Sequence, residues 1–254
     1  MTHGGKFTVL VAAILVWAGA VSYAGGEVNT TFHPEDFSTR SATIDNQYWP
    51  QPVGTRFTYR SVGNGRCEVN DIRVTHVTPE IAGVTTRQVL DRIYEDERCD
   101  GSRDFLSEDS LDWYAQDAKG NVWYFGQETK SFCAPDNPDL VCSTLGSWKA
   151  GVNGAAPGIV MLAAPSPGDF YRQEHAAGAH DAAKVLRMNA DVRLGLERKI
   201  DSEHYTGCLM TKEWSPSGAG AVEHKFYCPG TGLVRIDPLH SGTARTELVD
   251  IAQR

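Results

Sequence analysis

The chain has 254 residues, 41% of them hydrophobic and 22% charged, and a formal net charge of −8 at pH 7. An acidic surface repels phosphodiester backbones and anionic lipid heads, which argues against nucleic acid or a membrane surface as partners. The length is enough for one large domain with a substantial core.

Lys6 is the only lysine or arginine in the first 24 residues, and the 18-residue run "FTVLVAAILVWAGAVSYA" follows it. The run ends on Ser22-Tyr23-Ala24, small residues of the kind a signal peptidase accepts. This predicts a secretory signal over residues 1–24, cleaved after Ala24. The competing reading is a retained anchor, since such a run approaches spanning length. Cleavage predicts a secreted or periplasmic protein with no stable membrane insertion. Its net charge becomes −9, because one Lys and no acid are lost. Residues 25–46, "GGEVNTTFHPEDFSTRSATIDN", are polar and aperiodic, which predicts a flexible leader. A single β domain is expected over 47–254.

From Thr55 onward the sequence is β-like. Segments such as "RFTYRSV", "TTRQVLDRIYE", "DVRLGLE" and "GLVRID" are short, rich in Val, Ile, Thr and aromatics, and separated by Gly, Pro, Asn or Asp. This predicts an all-β fold, a single curved antiparallel sheet or half-barrel (β-clam), with at most one short helix. The segment "DAAKVLRMN" at 181–189, with Asp181 as cap, is the candidate for that helix.

The chain has six cysteines. In an exported protein they are read as disulfides, although six allow 15 pairings. Cys67 and Cys99 lie equally far from Gly83, and Cys208 and Cys228 equally far from Gly218. Cys133 and Cys142 bracket the turn at Asn137-Pro138. Residues equidistant from a hairpin turn face each other, so the spacing predicts 67–99, 133–142 and 208–228. No CxxC pair occurs, and no metal or cofactor is expected.

The stretch "DWYAQDAKGNVWYFG", residues 112–126, crowds five aromatics around one turn. A three-residue turn at Ala118-Lys119-Gly120 sets Asp117 against Asn121 and Trp113 against Phe125. One face then carries Trp113, Ala115, Trp123 and Phe125, as core or cavity lining. The other carries Asp112, Tyr114, Gln116, Val122 and Tyr124, a polar-aromatic surface. Residues 146–168, rich in Gly, Ala and Pro, predict a loop closing one side of the sheet. Ser147 lacks the setting of a nucleophile elbow, and no phosphate-binding loop is present.

The 208–228 bridge fixes a second register, with Trp214 opposite Val222, Glu213 opposite Glu223, Lys212 opposite His224 and Met210 opposite Phe226. Two facing carboxylates repel unless something compensates. Lys225 on a wet surface, a bound cation, or an acid–base function would each do so. Glu174, His175 and His180 add titratable groups in "YRQEHAAGAH", without metal-ligand spacing. Convergence of Glu174 with Glu213 and His224 would make a hydrolytic site plausible.

The segments "NQYWPQPVGTRFTYR", "LDWYAQDAKGNVWYFGQETK", "GSWKAGVNGAAPGIVM", "DFYRQE" and "CLMTKEW…VEHKFYCPGTGLVRI" resemble a family of exported bacterial β-rich proteins. That likeness covers about residues 44–237 and implies no particular reaction. The C-terminal hairpins also resemble those of periplasmic β-clam proteins of the LolA-like group. That resemblance implies a curved sheet folded over an apolar ligand, and no catalytic residue.

The expected function is therefore a non-enzymatic binding module for a small or apolar ligand. Trp113, Trp123, Phe125 and Trp148 would line its site, with Tyr114 or Gln116 supplying polar contacts. The alternatives are a secreted hydrolase or lyase using Glu213 and Glu223, assisted by His224 or Glu174, and an envelope module that contacts other proteins.

Overall fold

The structure is a computed structural model that describes residues 25–63, 65–177, 180–215, 222–239 and 244–253. The expected signal segment and the turn around Gly218 lie outside those residues. The described residues form β1 (Thr55–Gly63), β2 (Arg66–Val74), β3 (Glu80–Ile81), β4 (Val84–Thr85), β5 (Arg87–Glu95), β6 (Phe105–Gln116), β7 (Val122–Phe132), β8 (Val141–Ser143) and β9 (Trp148–Lys149). There follow β10 (Ala156–Met161), β11 (Phe170–Arg172), β12 (Glu174–His175), β13 (Ala182–Arg193), β14 (His204–Trp214), β15 (Val222–Cys228), β16 (Gly232–Pro238) and β17 (Arg245–Gln253). The one helical element among them is a 3-10 turn at Pro34–Asp36. No helix among the described residues is long and apolar enough to cross a membrane.

The fold is all-β and antiparallel, as the composition and turn spacing predict. Two meanders, β1-β2-β5-β6-β7 and β13-β14-β15-β16-β17, join where β17 pairs with β1. The path continues from β7 through β10 to β12 at one end, and from β13 to β11 at the other. Strands β11 and β12 are separated in the chain by Gln173 alone. The single segment 170–175 therefore bridges both ends of the sheet, pairing Tyr171 with Ala183 and Glu174 with Pro157. This nearly closes a circuit of thirteen strands. Gly158 makes the seam sterically feasible, because a Cβ there would lie 2.3 Å from the Gln173 carbonyl carbon.

Cys67–Cys99, Cys133–Cys142 and Cys208–Cys228 are all bonded, the pairing that the hairpin spacing predicts. Three disulfides fit an oxidising compartment, extracellular or periplasmic.

Two local expectations need correction. Residues 181–189 are not helical; from Ala182 they form the start of β13, where Ala190, Val192 and their exposed neighbours alternate with the two-residue period of a strand. Asn189, at φ 58°, marks a register break that blurs this alternation upstream. Residues 146–168 are not simply a closing loop either. "IVM" belongs to β10, which is almost wholly buried and pairs with β7.

The segment read as a leader lies against the sheet. Phe32 and Phe37 pack edge-on against Phe125, with ring centroids 5.5 and 5.6 Å away, and Phe37 also meets Trp123 at 6.0 Å. Gln116 anchors the same segment by accepting from the Asp45 and Asn46 amides and donating to Asp45. Trp49 stacks near Tyr114 and Tyr227 at 5.8 and 5.5 Å.

Candidate functional site

The aromatic hairpin folds as predicted at its tip. The Asp117 amide donates to Asn121, Gly120 adopts φ 95°, and Tyr114 pairs with Tyr124. Beyond that pair the register slips, and Trp113 faces Gly126 instead of Phe125. The cause is a β-bulge, with Gly126 at φ 126°. A side chain at Gly126 would also sit 2.3 Å from the Trp148 carbonyl oxygen. Glycine thus lets the two-residue strand β9 pair with β7 through Gly126–Lys149 and Gln127–Trp148.

This bulge builds a groove. Trp113 from β6, Gln127 from β7, and Trp148 and Lys149 from β9 surround a cavity of about 400 Å³, closed by Val152 and Ala176. The Lys149 ammonium lies 4.5 Å above the centre of the Trp113 ring. Trp113 is only 4% exposed. The indole N–H of Trp113 is buried without an acceptor, and that of Trp148 is buried with no hydrogen bond of normal geometry. Such a donor costs about 1–3 kcal/mol unless something accepts from it.

Of the residues expected to line a ligand site, Trp113 and Trp148 line this groove. Trp123 and Phe125 do not: they lie beneath Phe32 and Phe37, and the Trp123 indole donates to Asp117 at 2.9 Å. Gln116 binds the leader instead of facing the groove. Tyr114 stacks on Tyr124 at 4.9 Å, and Tyr124 meets Trp148 edge-on at 5.4 Å, forming a layer behind the groove. Gln127, which the sequence did not single out, lies at the groove and 3.0 Å from the Tyr124 hydroxyl.

Behind that layer the sheet carries buried acids. The Tyr124 hydroxyl donates to Asp112 at 2.6 Å. Burial, then the nearby Asp91 charge, pushes the Asp112 carboxyl up to about 8. Burial likewise raises Asp91 to about 7, against the hydrogen bond from Asn70. Glu174 also rises to about 7, through burial and then Asp181. Trp148 acts on Glu174 in the opposite direction, although its N–H makes no hydrogen bond of normal geometry.

The second hairpin has the predicted register, Glu213 opposite Glu223 and Lys212 opposite His224. Its sidedness is the reverse of a wet carboxylate face. Leu209, Thr211, Glu213 and Tyr227 are buried, whereas Met210, Lys212 and Trp214 are partly exposed. Every oxygen of Glu213 is engaged. Oε1 accepts from Thr211 and Tyr227, each at 2.8 Å, and Oε2 from Gln173 at 3.1 Å. Lys225 Nζ lies 3.1 Å from Glu213 and 3.8 Å from Glu223. Burial alone would raise Glu213, but the Lys225 charge and these hydrogen bonds outweigh it and hold the carboxyl below its usual range. The same two carboxylates raise Lys225 against the effect of burial.

His224 does not join this cluster. It sits on the other face between Lys212 and Asp237, with its pKa lowered mainly by burial. Glu174 pairs along the seam, next to the Gln173 that reaches Glu213. No group of three metal-ligating side chains is present among the described residues. The chain matches no protein-family model, and no curated protein or solved structure is significantly similar to it.

Proposed function

We propose that this protein is an exported, non-enzymatic binding module that holds a small, largely apolar ligand in the groove between Trp113 and Trp148. Residues 1–24 act as the export signal in this reading, and N-terminal sequencing of the mature protein finds Gly25 first. The observation that carries the proposal is the groove itself, in which Trp113, Trp148 and Lys149 line a cavity of about 400 Å³ and the Trp113 indole N–H is buried without an acceptor. A ligand with an apolar body and a carbonyl-type acceptor satisfies both features.

Native mass spectrometry of the protein recovered from its exported location tests this. The expected result is a noncovalent adduct below about 1 kDa, a size consistent with a drug-sized pocket, retained by Trp214→Phe and lost in Trp148→Ala. An adduct-free protein in every preparation counts against the reading.

Glu213 favours a structural role over hydrolysis. With both Glu213 oxygens committed to Thr211, Tyr227, Gln173 and Lys225, this side chain has no free lone pair aimed at a substrate.

A further inference from the structure

A second cavity, of about 320 Å³, shares no residue with the Trp113–Trp148 groove. Five cationic side chains line it, Arg56, Arg60, Arg103, Arg198 and Lys199, against three carboxylates. Four of the five are ion-paired, Arg56 with Asp250, Arg60 with Asp96, Arg103 with Asp71 and Arg198 with Glu203, which leaves the Lys199 ammonium.

The cations are held in place from behind. Arg60 donates through Nη2 to the Cys99 carbonyl at 2.7 Å and to Asp96 at 3.3 Å. Asp96 is itself buried and accepts from the amides of Asp100 and Gly101 at 3.0 and 2.7 Å. The Cys67–Cys99 bridge ties that loop to β2. Gly101, at φ 90°, brings the loop backbone beside the guanidinium, 3.7 Å from Arg60 Nε to the position a Cβ would take. Arg103 grips Asp71 through two bonds of 2.7 and 2.8 Å. Arg56 reaches Asp250 at 3.4 Å through Nη2.

These anchors leave donors unused. A guanidinium has five N–H groups, and the Nε atoms of Arg56 and Arg60 are buried with no acceptor. Lys199 lines the same cavity, and its ammonium has no partner among the described residues. Buried N–H groups without acceptors are costly, and charge-assisted bonds to an oxyanion are the strongest way to satisfy them.

We propose that this cavity binds a small molecule through a tetrahedral oxyanion, phosphate or sulfate, with Arg56, Arg60 and Lys199 as its principal ligands. Isothermal titration calorimetry of the full mature chain tests this with inorganic phosphate, inorganic sulfate and glycerol 1-phosphate as probes. The expected result is saturable binding at one site per chain, weakened about tenfold by Arg60→Met and by Lys199→Glu. Because the Lys199 ammonium has no partner among the described residues, Lys199→Glu keeps the wild-type melting temperature, which separates loss of the site from loss of the fold. Glycerol 1-phosphate binding more tightly than phosphate assigns the site to an organic phosphate; equal affinities assign it to the free ion. Absence of saturable heat with all three probes up to about 10 mM overturns the proposal. So does binding that Lys199→Glu leaves unchanged.

Discussion

Replacing Lys225 with Met leaves the Glu213 carboxylate buried beside Tyr227 with its counter-ion gone. In the native protein the two charges stand 3.1 Å apart, and Glu213 is 5% exposed. At an effective dielectric of about 20, this separation corresponds to about 5 kcal/mol of attraction. Breaking one side of a buried pair usually costs about 3–5 kcal/mol. The three remaining hydrogen-bond donors soften the loss, so Lys225→Met is expected to destabilise by about 3 kcal/mol at pH 7. For a domain of this size that lowers the melting temperature by about 6–12 °C. The pH dependence follows from the sign of the Glu213 shift. A depressed carboxyl contributes stability above its unfolded value, and that contribution disappears as pH falls through the lower folded value. In Lys225→Met the folded carboxyl rises instead, and protonation relieves the variant as pH falls. The gap from wild type therefore narrows between pH 7 and pH 4, and Glu213→Gln/Lys225→Met loses less than Lys225→Met alone. Circular dichroism melts across that range provide the assay. A gap below about 1 kcal/mol at pH 7, or one independent of pH, refutes the buried-pair reasoning.

Three further outcomes are expected. Asp112, Asp91 and Glu174 are raised carboxyls, so their stabilising protonation is lost as pH rises through about 7–8. Stability therefore falls as pH rises from about 5 to about 8, and Asp112→Asn removes about 1.4 kcal/mol per pH unit of that slope between about pH 5 and 7 and about 0.7 near pH 8, measured by urea denaturation. Gly126→Ala forces a side chain against the Trp148 carbonyl at an unfavourable φ; it costs about 2 kcal/mol or more in denaturation and alters tryptophan emission as β9 shifts. Phe37→Ala opens the cover over Trp123 and Phe125, costing about 2–3 kcal/mol because Phe37 is only partly buried, with a red-shifted tryptophan spectrum as the second readout.

The sequence carried the local structure well. Turn residues, β-branched runs and cysteine spacing were enough for most strands, the Glu213–Glu223 register, the tip of the aromatic hairpin and all three disulfides, because each depends on neighbours within a few tens of residues. Sidedness was harder to read. The facing carboxylates Glu213 and Glu223 suggested a wet surface on β14–β15, yet Leu209, Thr211, Glu213 and Tyr227 are buried, because a nearly closed sheet with the N-terminal segment packed on it buries parts of both faces. The bulge at Gly126 had a signal, an isolated glycine within a strand pattern, which commonly marks one. The basic cavity had none, since its residues run from Arg56 to Asp250 and meet only after β1 pairs with β17. The two phenylalanines in the polar stretch 25–46 likewise show no periodicity until they meet Trp123.

The most direct test of the binding reading is the indole N–H region of a ¹H–¹⁵N NMR spectrum, recorded before and after adding an organic extract of the source cells. Ligand capture in the groove shifts the Trp113 and Trp148 resonances downfield, as their protons gain acceptors, and leaves Trp123, already bonded to Asp117, in place. If Trp113 and Trp148 stay fixed with every extract fraction, or if all the indoles move together, the groove is not a ligand site.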